Sequence, residues 1–258
     1  MRREDILMLP CTAPGFVRGK PLLEATFLSR PNRFLAIVRL GSSRDMGDRT
    51  ESGRVTEGRE SEGDGPEVEA HVADPGRLKE LLIPGRRVYL APAGARSRKT
   101  AYDLVLVDTD GRLVSLDSRV PNEVVYEGLR TRFFDGLAGY PEITREARYG
   151  NSRLDFRLSG RSLPDCFIEV KSVTLVRDER ALFPDAPTAR GARHLRELAG
   201  AAAEGFRALV AFIVQRQDAR CFSPNDEIDP EFGRALRDAV RGGVEIWAYT
   251  CRVTLDAV

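Results

Sequence analysis

Apolar and β-branched residues gather in short runs of four to eight along the first 116 positions, at 22–28, 33–40, 68–72, 87–90, 102–107 and 113–116. Runs of that length bounded by turn residues predict strands. Ser29-Arg30-Pro31-Asn32 separates the first two and predicts a hairpin, and one helical turn is expected at 78–82, ahead of Pro84-Gly85. Short strands at this spacing predict a small β-barrel. The period changes at Val120-Pro121-Asn122. Val125, Leu129, Phe133 and Leu137 recur every fourth position, so a helix is expected with Asn122 as its cap and Gly136 and Gly139 at its end. The domain boundary falls here, dividing the chain into 1–116 and 117–258. Strands are then expected at 144–149, 153–158 and 166–173, a helix at 192–204 and a strand at 208–214, which is an αβββαβ order. A last helix opens with Asp229 as cap and Pro230 at its first position, closes at Gly242-Gly243 and leads into a strand at 244–249.

Of the 258 residues, 42% are hydrophobic and 31% charged, a mix that can bury a core and excludes collagen-like and wholly disordered chains. The longest clean apolar run, 208–214, is far short of the ~20 residues a membrane helix needs. Glu4 and Asp5 stand where a signal peptide carries net positive charge. A cytoplasmic protein without a membrane partner is expected. Cys11, Cys166, Cys221 and Cys251 lie far apart with no C-x-x-C pair, against a zinc ribbon, a redox pair or a disulfide framework, and are expected as reduced core residues. The net charge is +1, but positions 41–67 hold eight acids and four arginines among much Gly and Ser. By composition this is a flexible, disordered insertion. Its net −4 leaves +5 on the remaining chain, a mild basic excess compatible with a nucleic-acid partner.

Strand parity singles out three residues in the second half. On 153–158, Leu154, Phe156 and Leu158 share one face and Arg153, Asp155 and Arg157 the other. On 166–173, Glu169 and Lys171 share a face opposite to Ile168 and Val170. A hairpin folded about Arg161 and Ser162 sets Asp155 against Ile168 or Glu169, and face parity selects Glu169. Directly paired residues have Cβ atoms ~5 Å apart, close enough for two carboxylates to share one divalent cation. Such a pair binds Mg2+ or Mn2+, which polarises a phosphodiester and acidifies a water, while the lysine orients that water or stabilises developing charge. The competing reading is a cross-strand ionic cluster in which Lys171, Arg153 or Arg157 neutralises the acids on a solvated face. The position of the trio on adjacent strands after a helix favours the metal site.

The segments RPNRFLAIV at 30–38, HVADPGRLKELLIPG at 71–85 and RKTAYDL at 98–104 resemble the sugar fermentation stimulation protein family. The resemblance continues through PNEVVYEGL at 121–129, YGNSRLDFRL at 149–158, CFIEVKSVTL at 166–175, FPDAPTARGARHLREL at 183–198 and FIVQRQD at 212–218. It covers nearly the whole chain outside the insertion. It implies a mixed α+β and α/β chain: an N-terminal OB-like small β-barrel, then a C-terminal restriction-endonuclease-like domain of the PD-(D/E)XK kind, with DNA as partner. The insertion is extra relative to the family, and Asp74-Pro75 replaces its usual Asn-Thr, setting an acid where a phosphate-facing surface is expected.

Asp155, Glu169 and Glu127 are thus candidate metal ligands, and Asp155, Glu169, Lys171 and Gln215 candidate catalytic residues. Glu127 stands on the helix where nucleases of this fold often add an acid; a surface pair with Arg130 or Arg132 is its alternative. Gln215, at the end of 208–214, is expected to bring its amide to the catalytic edge beside Lys171. Arg193 and His194 are placed within reach of a phosphate, and His194, with no second His or Cys at helical spacing, is not expected to bind metal. In the barrel, Arg30, Arg33, Arg77, Arg98 and Lys99 collect near turns and strand ends, where an OB-like fold tracks a nucleic-acid backbone. Stacking aromatics there are few, Phe27, Phe34, Tyr89 and Tyr102, and His71 is expected as a satisfied strand-end residue. The function expected is DNA binding with a Mg2+-dependent nuclease site. The alternatives are a non-catalytic DNA-binding regulator of sugar metabolism that keeps a relic nuclease fold, and a scaffold with no nucleic-acid role.

Overall fold

The computed structural model describes residues 6–7, 9–11, 21–41, 65–94 and 99–258. The expectations for Arg98 and for the centre of the acidic stretch, 42–64, lie outside the described residues. The chain divides into two units. One is drawn from Gly19–Pro75 and Lys79–Asp117; the other joins Ser118–Val258 to the segment Gly76–Leu78 and the N-terminal strands β1 (Ile6–Leu7) and β2 (Leu9–Cys11).

The first unit holds β3 (Leu23–Asn32), β4 (Leu35–Leu40), β5 (Glu67–Val72), β6 (Arg87–Pro92), β7 (Tyr102–Thr109) and β8 (Arg112–Ser115). Five of them close a barrel in the order β3-β4-β5-β7-β6, antiparallel throughout except at β5–β7. Alternate side chains point inward, and Ala25, Phe27, Ala36, Val38, Ala70, Val72, Val88, Leu90, Leu104 and Leu106 are all buried. Alanine in three of the five strands leaves room among the buried side chains for the bulkier Phe27. The β7–β8 hairpin turns on Asp110 and Gly111, both at positive φ (57° and 81°), a type I′ turn whose twist matches its strands. The helical turn expected at 78–82 is a non-helical turn: Leu78 sits at φ 49°, and the Arg86 guanidinium donates to the carbonyls of Glu80 and Leu81.

The second unit runs α1 (Val120–Arg130), β9 (Glu142–Tyr149), β10 (Ser152–Gly160), β11 (Leu163–Val173), β12 (Val176–Arg177), β13 (Arg180–Phe183), α2 (Ala189–Ala203), β14 (Arg207–Val214), β15 (Cys221–Pro224), α3 (Pro230–Arg241) and β16 (Glu245–Cys251). Its main sheet has the order β2-β16-β14-β11-β10-β9, with the strands from β11 to β2 parallel. On one face α2 and α3 bury Leu195, Leu198, Phe232 and Leu236 in one cluster with Val210, Phe212 and Val214 of β14. On the other, Val125 of α1 shares an apolar lining with Ile168, Leu209, Ala211 and Ile213. Covered on both sides, β14 reads as a continuous apolar run instead of an alternating one.

The αβββαβ order is present, followed by α3 and β16. A small second sheet, β1-β15-β13-β12, has strands of two to four residues, too short to carry a period. Because β1 pairs with β15 and β2 with β16, the first strands belong to the second unit, which corrects the expectation that 1–116 forms one domain. Cys166, Cys221 and Cys251 are free thiols, and burial pushes Cys166 up to about 12. Among the described residues no helix is long and apolar enough to cross a membrane.

Candidate active site

β10 and β11 are joined through the two-residue loop Arg161-Ser162, with Gly160 opposite Leu163. After a register shift, the pairs Leu158–Cys166, Arg157–Phe167 and Phe156–Ile168 follow, and the next pair in that register is Asp155 and Glu169. There the ladder stops. The Asp155 carboxylate turns to other donors: Oδ2 accepts the Val170 amide at 2.7 Å, and Oδ1 accepts Asn122 Nδ2 of α1 at 2.8 Å.

The faces of this hairpin depart from simple alternation. Leu154 belongs to the core cluster of Phe167, Leu195 and Leu198, whereas Phe156 stacks on Tyr126 of α1 with ring centroids 6.4 Å apart. Residues two apart on a regular strand share a face, so β10 rotates about Asp155. β9 rotates with it at Glu146, φ 54°, where Arg145 lies over Tyr126 and Ala147 joins the Leu154 cluster. The expectation that Leu154, Phe156 and Leu158 share one face is corrected. The Asp155 carboxylate is thereby held by α1 and β11, while Arg153 and Arg157 stay exposed.

Glu169 is only 4% exposed. Its Oε1 accepts Lys171 Nζ at 2.5 Å and also His194 Nδ1 of α2, while its Oε2 is buried with no hydrogen-bond partner among the described residues. His194, 2% exposed, accepts Arg190 Nε at 3.3 Å on its other ring nitrogen. Burial alone would raise the Glu169 carboxyl, but the Lys171 ammonium and then the His194 hydrogen bond hold it below its ordinary value. Asp155 moves the opposite way. Burial first, then the Glu169 charge, push it up to about 6 against the pull of the Val170 amide, Asn122 and Lys171. The two carboxylates are near enough for the Glu169 charge to disfavour ionisation of Asp155, so the pair is pushed apart in acidity. Oxygen donors of this kind suit a hard cation, and Mg2+ takes one or two carboxylates while keeping waters and phosphate oxygens for the rest of its shell. Among the described residues no group of three or more His, Cys, Asp or Glu surrounds a metal position.

Comparison with known proteins agrees with this architecture. A family model described as the sugar fermentation stimulation protein RE domain matches residues 119–257, and one described as the SfsA N-terminal OB domain matches residues 28–116. The chain belongs to the sugar fermentation stimulation protein family. A sugar fermentation stimulation protein homolog of Moorella thermoacetica is 47% identical over 233 residues, covering 90% of each chain. Another from Symbiobacterium thermophilum is 47% identical over 246 residues, covering 90% of this chain and 89% of its own. A solved structure, described as Pyrococcus furiosus SfsA in complex with Ca2+, shares 29% identity and superposes with a TM-score of 0.77, covering 98% of this chain and 96% of that one.

In this family member the other expected residues divide sharply. Glu127 is paired with Arg130 through both oxygens, at 3.0 and 2.6 Å, on α1. The residue that α1 brings to Asp155 is Asn122. Asn122 is not the cap, because the helix has already begun at Val120 with Arg119 in the capping position. Gln215 donates to Ser172 Oγ at 2.9 Å, and Ser172 projects from β11 on the side opposite to Lys171, so the amide is not placed beside the lysine as expected. His194 is not a surface phosphate contact; it is buried against Glu169, and its neighbour Arg193 is the exposed cation. In the barrel Arg30 is occupied by the carbonyls of Arg33 and Asp74, while Arg33 and Lys99 are exposed, as is Arg77 in the segment that belongs to the second unit. Asp74 is buried, so its acid does not face solvent. His71 meets Asp103 at 3.2 Å. Phe27 and Tyr89 are buried, which leaves Phe34, 55% exposed, as the open aromatic of the β3–β4 turn.

Proposed function

We propose that this family member binds DNA and hydrolyses its phosphodiester bonds with Mg2+ or Mn2+ held by Asp155 and Glu169. The observation that carries the reading is Glu169 Oε2, a buried carboxylate oxygen without a donor among the described residues, near a second carboxylate whose ionisation burial already disfavours. An unsatisfied buried polar atom costs about 1–3 kcal/mol, more when charged. A cluster retained for stability would satisfy both oxygens or give way to apolar side chains of the same volume. A divalent cation between the two acids removes the cost. The Ca2+ complex of the Pyrococcus furiosus relative supports this, Ca2+ being another hard cation that takes oxygen ligands.

When bound, the cation polarises the scissile phosphate and makes a bound water a stronger acid. The Val170 amide and Asn122 hold the Asp155 carboxylate in place, so it presents its oxygens without reorganising. Lys171, fixed by Glu169 but 12% exposed, sets its ammonium where negative charge grows on the phosphate oxygens or orients the attacking water. Arg33, Arg77, Lys99 and Arg193 supply exposed positive charge for the DNA backbone, in line with the +5 carried outside the acidic stretch. The test is a cleavage assay on labelled single- and double-stranded DNA with Mg2+, Mn2+ or EDTA, with Glu169→Gln beside the wild type. Cleavage that needs both the cation and Glu169 is expected. DNA binding without cleavage under any of these conditions overturns the phosphodiesterase reading and leaves the non-catalytic regulator.

A further inference from the structure

His194 is a buried polar side chain that neither the barrel nor the DNA-contact reading uses. It stands on α2 in line with the buried positions Gly191, Leu195, Leu198 and Ala201, so the helix turns it to the sheet and not to solvent. Its two ring nitrogens have opposite roles. Arg190 Nε–H can only donate, so Nε2 accepts, and the ring proton sits on Nδ1, which donates to Glu169 Oε1. Lys171 Nζ reaches the same oxygen. Both donors therefore converge on Oε1, and none lies on Oε2 among the described residues. A carboxylate gripped at one oxygen by donors from two different elements has its rotation fixed, and the free oxygen is aimed by default.

We propose that His194 is a positioning residue that, together with Lys171, locks Glu169 through Oε1 so that Oε2 alone is presented to the divalent cation. The proposal rests on the metal-site reading above and deepens it. Arg190 acts one step further out by fixing which ring nitrogen carries the proton. Groups that orient a metal-binding carboxylate from behind are worth about 10- to 100-fold in metal affinity.

The experiment titrates Mn2+ into full-length protein and reads free Mn2+ by electron paramagnetic resonance, with the metal-free thermal midpoint of each variant recorded alongside. His194→Asn puts an amide N–H where Nδ1 stands; His194→Gln, nearer to His in size, puts it where Nε2 stands. Asn is expected to keep Mn2+ affinity within about threefold of wild type, and Gln to lose about tenfold or more. A filler role gives the reverse order, with Gln better than Asn in both affinity and thermal midpoint, and that result overturns the proposal. Arg190→Met, at an exposed position, serves if the His194 variants do not fold: a loss of about threefold is expected, and unchanged affinity overturns the coupling. Glu169→Gln separates the two levels. If wild type binds Mn2+, Glu169→Gln does not, and both His194 variants bind like wild type, the positioning role falls and the metal site stands. If wild type itself binds no Mn2+, both fall together.

Discussion

Glu127 on α1 and Glu169 on β11 are both glutamates held by a cation of the same unit, and they differ in the second oxygen. Arg130, one helical turn away, takes both oxygens of Glu127 in a pair that water screens. Glu169 is buried, gives one oxygen to Lys171 and His194, and leaves the other without a donor among the described residues, near a second acid. A complete exposed pair is what any helix surface carries. An incomplete buried one costs stability, and a fold that retains it points to a ligand that completes it.

The largest expected effect is on chemistry. Glu169→Gln should lower cation-dependent cleavage by about a hundredfold or more, while Glu127→Gln leaves it unchanged, in single-turnover assays on labelled DNA. Next comes stability: Lys171→Met removes the main counter-charge of a buried carboxylate and should destabilise the metal-free protein by about 3–5 kcal/mol in urea unfolding. Arg130→Met should leave the midpoint where it was. A smaller effect of opposite sign is expected at Asp155. Its carboxyl is raised from 3.8 to about 6, so the folded state holds the proton more tightly than the unfolded chain. The stability this contributes is present below pH ~4 and is lost as pH rises through about 6, leaving a cost of up to ~3 kcal/mol near neutrality. Asp155→Asn should therefore raise metal-free stability at pH 7 by ~1–3 kcal/mol and change it little at pH 4, as read from urea midpoints against pH. Asn122 can turn its amide to meet the new one. Smallest is Arg193→Gln, the exposed neighbour of His194. It should weaken DNA binding a few-fold and reduce the salt slope by about 0.9, without touching Mn2+ affinity.

The sequence discloses part of this site, for reasons that differ residue by residue. Asp155, Glu169 and Lys171 are visible because a two-residue hairpin loop has a centre, and counting back from Arg161-Ser162 leads from one acid to the other. The rotation at Asp155 is invisible to a period of two, since it goes with a left-handed backbone at Glu146 in the neighbouring strand that no side-chain pattern announces. His194 looks like a surface cation among Arg190, Arg193 and Arg196, yet its spacing from Gly191, Leu195 and Leu198 marks the buried stripe and could have located it. Asn122 passes for a cap because its residue type suits one; Pro121 just before it is the sign that the helix had already started. The barrel strands are readable from alternation, whereas β12, β13 and β15 depend on partners distant in sequence and have no local signature.

The most direct measurement is the thermal midpoint of wild type, Asp155→Asn and Glu169→Gln against Mn2+ concentration at constant pH. A cation completing the Asp155–Glu169 pair stabilises the folded state by RT ln(1 + [L]/Kd). The wild-type midpoint should climb steadily with the logarithm of Mn2+ once Kd is passed, and both variants should stay flat. A flat wild type, or variants that climb in parallel with it, would contradict a metal site built on these two acids.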